Sequence, residues 1–575
     1  MTESRQPNIL HSRRPLSVCI ASVFALAAPA GALAASVTSC LDDGGPGTLR
    51  SIIAAAAESE TVDLSGLTGP SACLNSTISL ASTISITQNA LTIEGGATNL
   101  IIDASGIAPY IGAYGDFRVF QHSGTGTLTV NHLELKGGYV HHTSQAYGTF
   151  GGCISSSGNV TLSGSTVTGC LVRNTGSYNP ADGGGVWTSG NLTLNNSTVD
   201  FNSAVAPSTS ARGGGVFVSG TLTLDDSVIA HNETTSASGQ ALGGGAYSRS
   251  TISSNGSDVQ YNTATTTTLG FSRGAGLYAY ADLNLDFSTV SMNSAVSTKG
   301  ADGGAAHVRG ALSASYCTVS NNDVQGPSSY TRGGAFYLTG NSTFNKCTIS
   351  NNSSLGSFGG IDAFSETPSD KLFQMTNSTV TGNSSANTSG GLYVNSATVN
   401  LRNSTIAFNG AGVKHPGVLF GTAFGPMDVT MKSNLMVYNK VGSGESDLFI
   451  ITSENALTFN GGNLAGQARN LIGATTVDTA DLPDDTLFGV CPRLGPLRDN
   501  GGLTLTHALY SGSPAIDVGD DSLGALYDQR GKASVNGDID YTRFSGLSAI
   551  ADIGAYEVQQ NEIVFNANFE GCPFL

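Results

Sequence analysis

Gly183-Gly184-Gly185-Val186-Trp187-Thr188-Ser189-Gly190-Asn191-Leu192-Thr193-Leu194-Asn195-Asn196-Ser197-Thr198-Val199-Asp200-Phe201-Asn202 decides the fold, because the chain writes it again about every 30 residues up to Asn439. Each unit opens on a Gly patch and closes on an asparagine. The closing residues are Asn202, Asn232, Asn262, Asn293, Asn322, Asn352, Asn383, Asn409 and Asn439, with successive steps of 30, 30, 31, 29, 30, 31, 26 and 30. Three residues before each stands Val199, Ile229, Val259, Val290, Val319, Ile349, Val380, Ile406 or Met436. An apolar column beside an Asn column requires the chain to return to one place per repeat, as stacked coils do.

Within the unit the apolar period is two. Leu192 and Leu194 flank Thr193, and the pattern returns as Leu222-Thr223-Leu224, Leu283-Asn284-Leu285, Val399-Asn400-Leu401 and Val429-Thr430-Met431. That alternation reads as a half-buried strand, and helical periodicity fails over the same stretch. A rung of about 30 residues with three short strands has the dimensions of an all-β, right-handed parallel β-helix, because sequential parallel strands cross over right-handed. Gly at the opening position allows a tight corner. Asn at the closing position tolerates the left-handed backbone, and its stacked amides can bond from coil to coil. The nine asparagines are therefore expected to be structural.

The same stacking pairs two cysteines. Cys317 and Cys347, 30 residues apart, occupy the column held elsewhere by Ser197, Ser227, Ser257, Ser288, Ser378 and Ser404. Stacked strands lie about 4.8 Å apart, within the Cα separation of a disulfide. For Cys40 with Cys73, Cys153 with Cys170 and Cys491 with Cys572, only proximity along the chain argues for pairing.

Before the Gly patches one column reads Asp182, Arg212, Leu242, Arg273, Asp302, Arg332, Phe358. Asp302 is thus expected between Arg273 and Arg332 in an exposed ion-pair ladder on the rim, each pair contributing at most about 1 kcal/mol. Between Asn and the next Gly patch lie segments that do not repeat, such as Ser203 to Arg212, Glu233 to Leu242, Thr263 to Arg273 and Asp323 to Arg332. They are expected to form a variable loop edge on a uniform rod, where recognition usually resides.

Composition agrees with a folded β protein. Only 12% of the 575 residues are charged, 75 are Gly, and the 39% that are hydrophobic recur in fixed columns. The formal charge of -17 argues against a nucleic-acid or anionic-membrane partner. Arg13, Arg14, the apolar run Leu16 to Ala30 and Ala32-Leu33-Ala34 read as a signal peptide over residues 1–34. No later run is long enough to span a membrane, so the mature chain is expected to be secreted or associated with the cell surface or outer membrane. Eight of nine cysteines survive cleavage, an even count that suits an oxidising compartment.

The stack needs caps at its ends. Gly47 to Ala57 predicts a short apolar helix that plugs the first coil, followed over residues 35–150 by irregular early coils with strands at Thr77 to Thr87, Ala90 to Ile93 and Asn99 to Asp103. Regular coils run over 151–475, and a different block follows over 476–558. There Asp499-Asn500-Gly501-Gly502-Leu503-Thr504-Leu505-Thr506-His507-Ala508-Leu509, Ser511-Gly512-Ser513-Pro514-Ala515-Ile516-Asp517-Val518-Gly519, Asp528-Gln529-Arg530-Gly531 and Asp552-Ile553-Gly554-Ala555-Tyr556-Glu557 occur in order. This resembles the choice-of-anchor Q domain of bacterial surface or secreted β-helix proteins. The Gly-Gly-Ala/Val-aromatic and Val-x-x-Asn elements of residues 150 to 440 are similar to the repeats of polymorphic outer-membrane proteins, which are adhesin-like. Those proteins end in a membrane barrel, which is not expected here from the short stretch after Glu557. The tail over 559–575, with Ile563 to Glu570, is similar to one on secreted proteins of some Gram-negative bacteria.

Chemistry is harder to find. Uronate lyases of this fold class use Lys or Arg beside acidic residues, and hydrolases use clustered carboxylates. Asp225-Asp226 is the one carboxylate doublet in the regular coils, and no motif of the pectin-hydrolase kind is present. His231, His307 and His415 read as isolated surface residues, and Lys136, His141 and His142 have no carboxylate recurring at coil spacing. Asp517, Asp520, Asp521, Asp528, Asp538 and Asp540 are candidate Ca2+ ligands, but without a recognised Ca2+ loop they read first as turn formers. The expectation is a binding or structural protein without catalytic residues, resident metal or cofactor, adhesin-like, meeting a glycan or protein. A polysaccharide lyase or hydrolase is the alternative.

Overall fold

Residues one repeat apart pair side by side throughout the computed structural model. It describes residues 34–558 except 68–72, 97–99, 108–113, 144–147, 328, 365–369, 397, 422–426, 452–456, 460–468, 476, 478–481, 483–484, 521–526 and 533–550. The signal peptide before Ala34, the tail, and Cys572, Asp521, Asp538 and Asp540 lie outside the described residues.

The chain is a parallel β-helix. Three long sheets wall its core, with 15, 15 and 13 strands, and in the unit quoted above they take Leu192–Asn195, Thr198–Asp200 and Val186–Thr188 respectively. Leu192 pairs with Leu222, Leu194 with Leu224, and Val199 with Ile229, so the inward columns stay largely apolar from coil to coil, with small polar breaks such as Ser254 beside Leu224. Leu192, Leu194, Val199, Val216 and Leu222 are all buried. The early coils join the same sheets, since Leu91 aligns with Leu128, Val160 and Leu192 in turn. The predicted plug is the helix Leu49–Ala55, with Thr48 as its N-cap accepting from Ser51 N–H at 3.3 Å and Leu49 and Ile53 buried.

The asparagines lie inside the corner, not on it. The left-handed backbone falls one residue earlier, at Phe201, His231, Tyr261 and Met292 (φ +52°, +54°, +55° and +57°). Freed of that duty, Asn202 donates from Nδ2 to Asn232 Oδ1 at 3.0 Å, and its backbone N–H goes to the same oxygen at 3.0 Å. The bonding continues unbroken to Asn439, and the side chains are buried. At the opening corner, Gly183 has φ +66°, and a Cβ on Gly184 would collide with the carbonyl of Gly214. Cys317 and Cys347 form the expected disulfide, with Cα atoms 4.6 Å apart, and Cys40–Cys73 and Cys153–Cys170 are joined as well.

The segments expected as variable loops contain strands. Ser203–Ala206 belongs to a further 13-stranded sheet and Ala211–Arg212 to a six-stranded one. These two sheets pack on each other through small residues, Ala204, Ala206 and Ala211 in one group and Ala241, Ala264 and Ala295 in the next. The six coils whose strands run from Thr149–Phe150 to Gly300–Asp302 therefore carry a thin fin, with a core of small residues rich in alanine, beside the main tube. Its inward positions vary only among small residues, as in the aligned column Ala206, Ser236, Thr266 and Ser297.

The C-terminal block is not a separate unit beyond the last coil. It runs back along the outer face of the Val-x-x-Asn sheet, where Ala508, Leu509, Ala515, Ile553 and Tyr556 pack on Ala407, Leu435, Val437 and Leu471. Gln529 is its main anchor. Its Nε2 donates to Thr348 Oγ1 at 2.8 Å, and its Oε1 accepts from Thr379 Oγ1 at 2.7 Å. His507 Nε2 meets Thr381 Oγ1 at 2.9 Å, and burial holds this imidazole down at about 4, hence neutral.

Candidate functional site

In strands such as Val186–Thr188 the outer residues point into the tube and the middle one points out. That middle column reads Trp187, Phe217, Tyr247, Tyr278, His307, Tyr337, Asp362, Tyr393. Because successive coils align, the rings stack face to face. Phe217 and Tyr247 have centroids 5.1 Å apart, Tyr247 and Tyr278 5.0 Å, and Tyr278 and His307 4.8 Å, while Tyr337 continues the column 4.8 Å from His307 with its plane tilted by 35°. The ring faces are largely spent on one another, and the rings from Phe217 to Tyr337 are buried beneath the side chains that flank them.

The fin strand that precedes each Gly corner flanks this stack on one side. Arg212 binds Asp182 through Nε at 2.7 Å and Nη2 at 2.6 Å, with its guanidinium 5.0 Å from the centre of the Phe217 ring. Asp302 lies between Arg273 and Arg332 as expected, at 3.0 Å and 3.8 Å. It is not on an exposed rim, however. Its carboxylate is 6% exposed, whereas Arg212, Arg273 and Arg332 are 18%, 28% and 34% exposed. Burial pushes the Asp302 carboxyl up, against the two arginines that hold it down. The alignment with Phe358 also needs correction. Ser357 pairs with Arg332, and Phe358 takes the left-handed corner filled by Gly333 one coil earlier (φ +61°).

On the other side of the stack, residues just past the strand supply more cations. Arg249 lies 5.3 Å from the Phe217 ring centre and Arg309 4.4 Å from that of Tyr280. Both are exposed, and among the described residues neither forms an ion pair. His307 is not a surface residue. Burial, then Arg273, Arg309 and Arg332, drive its pKa well below the usual value, so the ring is neutral within the stack.

Asp362 breaks the ring column between Tyr337 and Tyr393. It is fully buried, neither carboxylate oxygen has a hydrogen-bond partner, and its nearest cation is Arg332 Nε at 3.6 Å. Burial raises its carboxyl to about 7, opposed by Arg332 and reinforced by Asp302. Arg332 also donates to the Tyr337 hydroxyl at 2.9 Å. Sequence reasoning found Arg273, Asp302 and Arg332 but missed the ring column, Asp362, Arg249 and Arg309. The signal lay in the residue two or three places after each Gly patch, aromatic in coil after coil.

Other singled-out residues do not converge here. Lys136 has a carboxylate partner after all, Asp103 at 3.4 Å on the preceding coil, and His142 meets Asp116 at 3.1 Å. His231 is stacked between Phe201 and Tyr261, and His415 lies on Phe449. Asp225 and Asp226 are exposed at a corner. Of the candidate Ca2+ ligands, Asp520 pairs with Lys432 at 3.0 Å and Asp528 with Arg530 at 2.7 Å; no group of three or more metal-binding side chains converges among the described residues. No protein-family model matches the chain, and neither a curated protein nor a solved structure matches it.

Proposed function

We propose that this is an exported β-helix protein, secreted or held at the cell surface, that is adhesin-like and binds a glycan or protein without transforming it. One observation carries the reading. Along the band formed by the ring column and its two flanking arginine columns, solvent meets guanidinium groups, while the rings from Phe217 to Tyr337 are buried and the carboxylates that cleavage would need lie behind the arginines at 0% and 6% exposure for Asp362 and Asp302. The disulfides suit an oxidising compartment, and the resemblance to choice-of-anchor Q and outer-membrane adhesin repeats points the same way. Binding belongs on the flat band beside the fin, not on a fringe of loops.

A second reading has its own support. Asp302 and Asp362 lie on either side of Arg332 on successive coils, the mixture of acid and base that polysaccharide lyases and hydrolases employ. Incubating the purified protein with acidic and neutral glycans, with and without Ca2+, separates the two. Saturable binding without turnover is the expected result, and release of unsaturated or reducing ends would replace it with the enzymatic reading.

A further inference from the structure

The arginines of the band follow a rule. Arg212, Arg249, Arg273, Arg309 and Arg332 come one from each of five consecutive coils, carrying Phe217, Tyr247, Tyr278, His307 and Tyr337 in the ring column. They also alternate sides. Arg212, Arg273 and Arg332 belong to the fin column, paired through Arg212↔Leu242↔Arg273↔Asp302↔Arg332. Arg249 and Arg309 belong to the column on the far side of the rings, with Tyr280 between them, as the equivalent backbone bonds Arg249 N to Val218 O, Tyr280 N to Ser248 O and Arg309 N to Ala279 O show. The result is a zigzag of cations with one step per coil, about 4.8 Å.

Three of these guanidiniums are fixed by carboxylates, and Arg249 and Arg309 lie over rings with no carboxylate of their own. Over the six coils from Asp182 to Arg332, five arginines in these three columns face two aspartates, a local excess of positive charge on a chain of formal charge -17. Guanidinium matches carboxylate and sulfate geometry through paired N–H donors, and partial burial against rings reduces screening. An anionic ligand that fills such a row must be linear and repeat its charge once per coil.

We infer that the band binds a linear acidic glycan bearing one anionic group per sugar, with successive groups on opposite edges of an extended ribbon. One sugar advances such a ribbon by a length comparable to one coil, and a twofold turn between sugars places alternate anions on the two arginine columns. This rests on the binding reading above and names its ligand class.

The test is titration calorimetry at low salt with three hexasaccharides as probes: a homopolymeric uronate, the same chain with its carboxyls reduced to hydroxymethyl groups, and a chain alternating uronate with neutral sugar. The homopolymer should bind, the reduced chain at least about tenfold more weakly, and the alternating chain in between. Arg249→Gln and Arg309→Gln should each weaken uronate binding about three- to tenfold, because neither residue holds an ion pair whose loss would disturb the coils. Arg173→Gln, an exposed cation on the fin's other sheet, should leave the affinity unchanged. Equal binding of homopolymer and reduced chain, or of homopolymer and alternating chain, would overturn the ligand class while leaving the binding reading in place. Unchanged affinity in both band variants would do the same. Binding of none of the three would overturn both.

Discussion

Asp447 accepts the backbone N–H of Asn439 at 2.9 Å and its side-chain amide at 2.7 Å, standing where a tenth asparagine would stand. Its other oxygen takes Ala474 N–H at 2.7 Å. A carboxylate accepts on every lone pair, so one side chain closes the ladder and pins the next coil. Asp447→Asn keeps an acceptor for Asn439 but turns an amide N–H towards that of Ala474. We expect a loss of about 1–3 kcal/mol in denaturant unfolding, with faster hydrogen exchange confined to the last coils.

Asn262→Ala attacks the ladder at its middle. Asn262 Oδ1 accepts both N–H donors of Asn232, and its Nδ2 donates to Ile229 O and Asn293 Oδ1. Removing the side chain leaves those buried groups without partners, at a cost of about 2–4 kcal/mol. Thermal unfolding should show a clearly lower midpoint.

Replacing Cys317 and Cys347 together by Ser restores the residue found in the same column of other coils. There Ser197 N–H bonds to Ser227 Oγ at 3.1 Å. The lost cross-link closes a loop of 30 residues, worth about 3.6 kcal/mol by chain entropy, and the regained serine bonds offset about 1 kcal/mol of it. The double variant should therefore be less destabilised than Cys317→Ala with Cys347→Ala, as equilibrium unfolding would show.

Asp362 gives a pH dependence of known sign. Its folded pKa, about 7, stands above the unfolded value of about 4, so folding favours the protonated form. Its contribution to stability is fully present below about pH 4 and is lost as pH rises through about 7. Asp362→Asn should melt at a similar temperature to the parent at pH 4 and at a higher one at pH 8. A parent more stable than the variant at pH 8 would contradict the assignment.

Gln529→Ala should release the C-terminal strap without unwinding the coils. The side chain is buried and bridges Thr348, Thr379 and Thr504. Limited proteolysis should cut within residues 500–558 sooner than in the parent, with the β-rich circular dichroism spectrum retained.

The central coils were legible in sequence because their signals repeat. Leu192 and Leu222, Asn202 and Asn232, and Cys317 and Cys347 each keep one column, and period fixes side. The fin was not legible, because a core of Ala204, Ala206 and Ala264 has too little hydrophobic contrast with neighbouring Ser and Thr to mark a strand. Nor was the strap, whose partners are up to 182 residues distant in the case of Gln529 and Cys347. In the candidate site, Asp302 between its arginines followed from the period alone. Asp362 did not, because the shortened segment before it, with Phe358 at a glycine's corner, shifts the count on which the columns rest.

A crystal structure of the protein with a bound homopolymeric hexauronate would show whether the arginine zigzag holds an acidic glycan. An extended chain is expected along the ring column, parallel to the helix axis, with successive carboxylates at Arg249, Arg273 and Arg309 on alternating sides. A chain seated on the fin's outer sheet or on the strap, with those guanidiniums untouched, would contradict it.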